Sequence, residues 1–145
     1  MSTTHQTYAN HTRWHPPFHF FVMPVLLINV IWSIVYCAIY PGWNQGWWIV
    51  VSVALLLLGF LARTNSLKVQ DRLIRLEEQL RCQRLLSADL VPQARSLTLG
   101  QTIALRFAAD EELAALVQEV LAGKLNKSAE IKQAIRNWRA DDLRV

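Results

Sequence analysis

The sequence predicts an all-α protein. A two-span transmembrane helical hairpin leads from its second span, without a break, into a cytoplasmic stalk helix, and a small cytoplasmic bundle of about three short helices follows. Three observations predict this. No Asp, Glu, Lys or Arg occurs between Phe18 and Ala62, whereas residues 63–145 hold 14 of the 15 basic residues and all 11 acidic ones. A soluble core alternates apolar and charged positions along each element, so a split this sharp separates a lipid-facing part from an aqueous one. The apolar run WWIVVSVALLLLGFLA (Trp47 to Ala62) passes at Arg63 into RTNSLKVQDRLIRLEEQLRCQRLL with no proline, and its one glycine is Gly59. Nothing at that junction stops a helix.

Taken in order, the polar opening MSTTHQTYANHTRW lacks periodicity and reads as a loose tail, residues 1–17. FHFFVMPVLLINVIWSIVYCAIY, residues 18–40, reaches roughly 34 Å as a helix and so crosses a hydrocarbon core of about 30 Å. It is too long for a signal-peptide core and no small-residue cleavage site follows it, so a retained span is expected. Pro24 suits the start of the regular helix, with Phe18, Phe20 and Phe21 as an interfacial collar before it. PGWNQG, residues 41–46, only reverses the chain, and Tyr36, Tyr40, Trp43, Trp47 and Trp48 form the collar at that end.

The second span is expected over residues 44–63, its apolar run eked out by Arg63 extending toward the interface. The turn carries no basic residue, while Arg63, Lys68, Arg72 and Arg75 follow the second span closely. Both termini are therefore expected in the cytoplasm.

Within the stalk, residues 63–86, Val69, Leu73, Leu76 and Leu80 are spaced four, three and four. They form a heptad-like seam, widened by Leu67 and Ile74, that suits an oligomer or the bundle's own docking. Asp71 with Arg75 and Glu77 with Arg81 stand at i,i+4 on the solvated side.

SADLVPQAR, centred on Pro92, reads as a break, and the bundle is expected over residues 96–139. Thr98 to Gln101 has the form of a capping box. Asp110, Glu111 and Glu112 open a second helix that closes near Gly123. Ser128 is placed to cap a third, on which Ile131, Ile135 and Trp138 share a face. Helices this short are marginal alone, so they must pack, most economically on the Leu73, Leu76 and Leu80 face.

The stretches HPPFHFFVMPVLLIN, LKVQDRLIRLEEQLR, LTLGQTIALRFAADEEL and IKQAIRNWRADDLRV, in this order, resemble a family of small uncharacterised bacterial two-span integral membrane proteins with a cytoplasmic helical region. The resemblance runs from about His11 to Val145 and implies an integral protein of the bacterial inner membrane. It brings no activity that could be carried onto particular residues.

Chemistry-bearing residues are few. His5, His11, His15 and His19 all fall early, and His15 with His19 has the i,i+4 spacing of a shared metal, but Pro16 and Pro17 intervene. An interfacial hydrogen-bonding role is expected for them, with no metal and no cofactor. Neither span carries a mid-membrane histidine for haem.

The aqueous half has no histidine and no glycine-rich phosphate loop, and the acids at Asp110 to Glu112 are accounted for by a helix start, so no enzyme is expected. Acidic and basic residues interleave, which argues against nucleic acid as a partner. Asn29, Ser33 and Tyr36 lie along one side of the first span. They read as interhelical hydrogen-bonding groups or as a pore lining. The expected partners are the bilayer and either further copies of the chain or a larger membrane complex. The expected function is structural or scaffolding, with a small oligomeric channel or transporter lined by the first span as the alternative.

Overall fold

The computed structural model describes residue 8 and residues 15–141. The expected loose tail lies outside the described residues except at these positions, as do His5 and His11. Among the described residues every regular element is helical. A π-helical segment, Pro17–Val22, runs into α1 (Met23–Ile39); then come α2 (Trp43–Leu85), α3 (Leu90–Ala94), α4 (Leu99–Leu105), α5 (Asp110–Leu121) and α6 (Ser128–Ala134). The apolar run and the charged run after it are one helix, α2, as the missing stop signal at Arg63 led us to expect. The chain divides into two compact units that part between Lys68 and Val69.

In the first unit, helix begins ahead of Pro24, not at it. Proline has no N–H and its ring crowds the carbonyl four residues back. The chain meets this by winding Pro17–Val22 as a wider π-helix, with the Met23 N–H bonded to the Phe18 carbonyl. Two helices are long and apolar enough to cross a membrane: Pro17–Ile39 and the first part of Trp43–Leu85. Only Tyr40, Pro41 and Gly42 separate α1 from α2, a shorter turn than PGWNQG suggested. Starting α2 at Trp43 gives its apolar part, to Ala62, about 30 Å of helix, which removes the shortfall that the sequence left.

The two helices lie antiparallel, since Arg63 stands 5.9 Å from the centre of the Phe18 ring and Asn29 bonds Ser52. Gly59 sits between those contacts. A Cβ there would meet Leu26 Cδ1 at 3.2 Å, so the glycine is what lets α1 approach α2.

The second unit packs the end of α2 with α3 to α6. Its core gathers Leu86, Leu90, Leu105, Phe107, Leu113, Val117 and Ile131, with Phe107, Leu113, Val117 and Ile131 fully enclosed. α5 supplies Leu113, Leu116, Val117 and Val120, a 3.6-period face. Thr98 caps α4 as expected: its Oγ1 accepts the Gln101 N–H at 3.3 Å, and the Gln101 Oε1 accepts the Thr98 N–H at 2.9 Å. Gly123 ends α5 at φ +73°, the left-handed turn that glycine makes without strain.

Four expectations are corrected here. The break around Pro92 contains a helix, α3, which tolerates the proline because it falls in the first turn, where an N–H has no helical partner. Residues 96–139 hold three short helices, α4 to α6, as expected, and α3 adds a fourth ahead of them. Ser128 does not cap α6; its Oγ donates to the Gly100 carbonyl at 2.8 Å, and Glu130 takes the Asn126 and Lys127 N–H groups at 2.9 and 3.0 Å.

Trp138 is not on α6, which ends at Ala134; Ile135 is already extended, with ψ 124°. The chain instead runs back alongside Phe107 to Ala109. Ala109 N–H bonds the Asn137 carbonyl at 3.0 Å, and Arg139 N–H bonds the Phe107 carbonyl at 2.8 Å. Trp138 still reaches the core, its ring 4.8 Å from that of Phe107.

Finally, the bundle does not rest on Leu73, Leu76 and Leu80. α2 turns Ile74, Glu78 and Arg81 into the unit at 6%, 5% and 3% exposure, and Ile74 therefore does not widen the seam.

Candidate functional site

Three places gather the residues that carry chemistry. The first is the polar patch between α1 and α2. The Asn29 amide Nδ2 donates to Ser52 Oγ at 2.8 Å, and Ser33 Oγ donates to the Asn29 carbonyl at 2.8 Å. That leaves the Ser52 proton to bridge to Ser33 Oγ at 2.9 Å, which closes a ring of three hydrogen bonds. Ser52 is 1% exposed. The sequence pointed to Asn29 and Ser33, but it did not pair them with Ser52, which lies 23 residues from Asn29. Tyr36 is not in this ring; its side chain packs against Tyr40, ring centres 5.2 Å apart.

Around this pair the aromatic residues other than Trp32 lie toward its ends. Trp43, Trp47 and Trp48 are exposed near the turn, while Phe18 and Arg63 meet at the other end. Just beyond Arg63, the hydroxyls of Thr64 and Ser66 bond back to the carbonyls of Phe60 and Ala62 at 2.9 and 2.8 Å. His19 turns its ring to its own helix start, with Nδ1 3.0 Å from the His15 carbonyl. That contact makes Nδ1 the donor and fixes the tautomer. The bond is to the His15 backbone, so it joins His19 to the start of its own helix.

The second place is the α2 face that holds the bundle. Arg81 donates through Nε to Asp110 at 2.8 Å, through Nη2 to the Ala108 carbonyl at 2.6 Å and through Nη1 to Glu78 at 3.1 Å. Glu78 in turn lies 3.4 Å from Arg139, and Arg106 lies 3.1 Å from Asp141. These ions flank a groove of about 580 Å³ that Glu77 and Arg84 also line.

Neither the Asp71–Arg75 nor the Glu77–Arg81 pair is among the ion pairs of the described residues. Arg81 bonds inward instead, because a buried guanidinium has to spend its donors on fixed acceptors. Sequence reasoning missed this network because Glu and Arg in a helix read as solvent-facing. The one signal was that Ile74, Glu78 and Arg81 follow the same four-three spacing as the apolar seam.

Beside this network, Cys82 lines a void of about 10 Å³ with Val91, Leu97 and Leu105, room for one water at most. Burial pushes its thiol above the ordinary value of 9.0, and the Glu78 carboxylate adds to the rise, while Arg81 opposes it. Such a thiol is a packing group and a poor nucleophile at neutral pH.

The third place is the seam. Val69, Leu73, Leu76 and Leu80 are exposed by 67%, 54%, 53% and 51%. Four apolar side chains thus stand in a row on a charged helix with nothing of their own unit over them. Among the described residues, no three His, Cys, Asp or Glu side chains converge as a metal site would require.

Comparison of the chain with curated proteins and with solved structures finds no match. A family model does match, over residues 1–145, and its description is "Family of unknown function (DUF6526)". With the match running over all its residues, the chain belongs to that family.

Proposed function

We propose that this chain is a non-enzymatic integral protein of the bacterial inner membrane that acts as a structural or scaffolding component by assembling with copies of itself. The Pro17–Ile39 helix and the apolar part of α2 span the bilayer, both termini are cytoplasmic, and α3 to α6 stand in the cytoplasm. The observation that carries this reading is the exposed row Val69, Leu73, Leu76 and Leu80 on α2. Apolar side chains at heptad spacing on a water-facing helix gain from being covered, at about 25 cal/mol per Å² of surface removed from water. The basic residues Arg63, Lys68, Arg72 and Arg75 after the second span support the orientation.

The polar ring bears on the channel alternative. The two serine hydroxyls and one N–H of the Asn29 amide are spent within the ring, which suits clasping two helices better than presenting donors to a permeating ion. Mass measurement of the full chain in lipid nanodiscs tests the proposal, and an assembly of two or more copies is expected. A lone monomer would overturn self-assembly and favour service as an accessory subunit of a larger membrane complex. Ion flux through liposomes carrying the chain is expected to match that of empty liposomes, and flux abolished by Asn29→Leu would favour the channel.

A further inference from the structure

We infer that the seam pairs copies of this chain side by side, parallel and in register, with Arg72 of each copy held against Glu77 of the next. The inference deepens the self-assembly reading and rests on it.

The spacing of Val69, Leu73, Leu76 and Leu80 allows one heptad assignment: Leu73 and Leu80 take the a positions, Val69 and Leu76 the d positions. Ile74 and Arg81 then fall at b and Glu78 at f, the positions that face away from a coiled-coil partner. Those are the residues that the chain's own bundle buries, at 6%, 3% and 5% exposure. The bundle has therefore taken the outer face of the helix and left the inner one open.

The flanking charges say which way a second copy lies. Position g holds Arg72 and Gln79, and position e holds Gln70, Glu77 and Arg84. In a parallel, in-register pair each g residue meets the e residue five places on in its partner. That sets Arg72 against Glu77, twice in a two-stranded arrangement, and Gln79 against Arg84.

Turned end for end, the seam sets Glu77 against Gln70 and Arg72 against Gln79, and neither ion finds a counter-ion. Within one chain, neither Arg72 nor Glu77 takes part in an ion pair among the described residues. Two heptads are short for a coil in water. Copies anchored in one membrane by the same two spans already share a direction and a plane, which raises their effective concentration.

The test uses the full chain in vesicles, with Cys37 and Cys82 replaced by Ser. Oxidation of Leu73→Cys is expected to give covalent dimers, while Arg75→Cys, at the outward c position, gives about tenfold fewer. Adding Arg72→Glu to Leu73→Cys opposes like charges and is expected to lower the yield about tenfold, and adding Glu77→Arg as well restores it. Equal yields at positions 73 and 75, or a yield indifferent to both charge reversals, would overturn the parallel register. If the mass in nanodiscs still shows an assembly, only this geometry falls; a monomer there ends the self-assembly reading with it.

Discussion

Arg81 donates to the carbonyl oxygen of Ala108 at 2.6 Å, and by this bond the end of α2 grips the residues that lead into α5. The same guanidinium reaches Asp110, the first residue of α5, and Glu78 on its own helix. One side chain at 3% exposure therefore joins two helices and a connecting loop.

Replacing Arg81 by Leu is expected to cost about 3 kcal/mol, because it leaves the buried Glu78 with only the half-exposed Arg139, 3.4 Å away, to meet its charge. Glu78→Gln with Arg81→Gln is expected to cost less than the sum of the two single changes, since the charges left unpaired, on Asp110 and Arg139, are half-exposed and no buried one remains. Urea unfolding of the full chain in detergent, followed by circular dichroism, measures both.

Breaking the polar ring is expected to weaken the pairing of α1 with α2 by about 0.5–2 kcal/mol. Ser52→Ala removes one acceptor and one donor at once and leaves the Asn29 amide without its 2.8 Å partner. Thermal unfolding in micelles, compared with the outward-facing control Leu57→Ala, reads the difference.

Acid should loosen the start of α6. The backbone N–H groups of Lys127 and Asn126 hold the Glu130 carboxyl below its ordinary value of 4.5. A carboxyl depressed by folding stabilises the fold above its unfolded value, and that stability is lost as the pH falls through the folded value. The melting temperature is thus expected to drop below about pH 4.5 more steeply in the native chain than in Glu130→Gln, the comparison isolating this group from the other acids.

Alkylation of Cys82 by iodoacetamide at pH 7 is expected to be slow, since its thiol is raised by burial. Mass spectrometry should show the rate climb once urea opens the core around Leu105 and Val91, while Glu78→Gln should speed the reaction in the folded chain.

The helical class, the course of α2 and the starts of α4 and α5 were legible because each rests on local signals: an absent breaker, a capping box, acids ahead of an apolar face. Ser128 and Trp138 were misread because their partners, Gly100 and Phe107, are remote in sequence. The choice of α2 face was misread for another reason. The leucine stripe is the more apolar of the two, but Glu78 and Arg81 satisfy each other and the loop before α5, so burying them costs less than their charges suggest. Asn29 was legible as a group that needs a partner, and Ser52 as a polar position in the other apolar run, but no local signal paired the two across 23 residues.

The circuit through Asn29, Ser52 and Ser33 has a direction, since each proton points to the next oxygen around it. Its two ends cannot be reversed, because the Asn29 Nδ2 only donates and the Asn29 backbone carbonyl only accepts, so both hydroxyls are held in one sense while the two helices stay together. Isotope exchange at these positions should accordingly be slow, a clock for how often the two helices part.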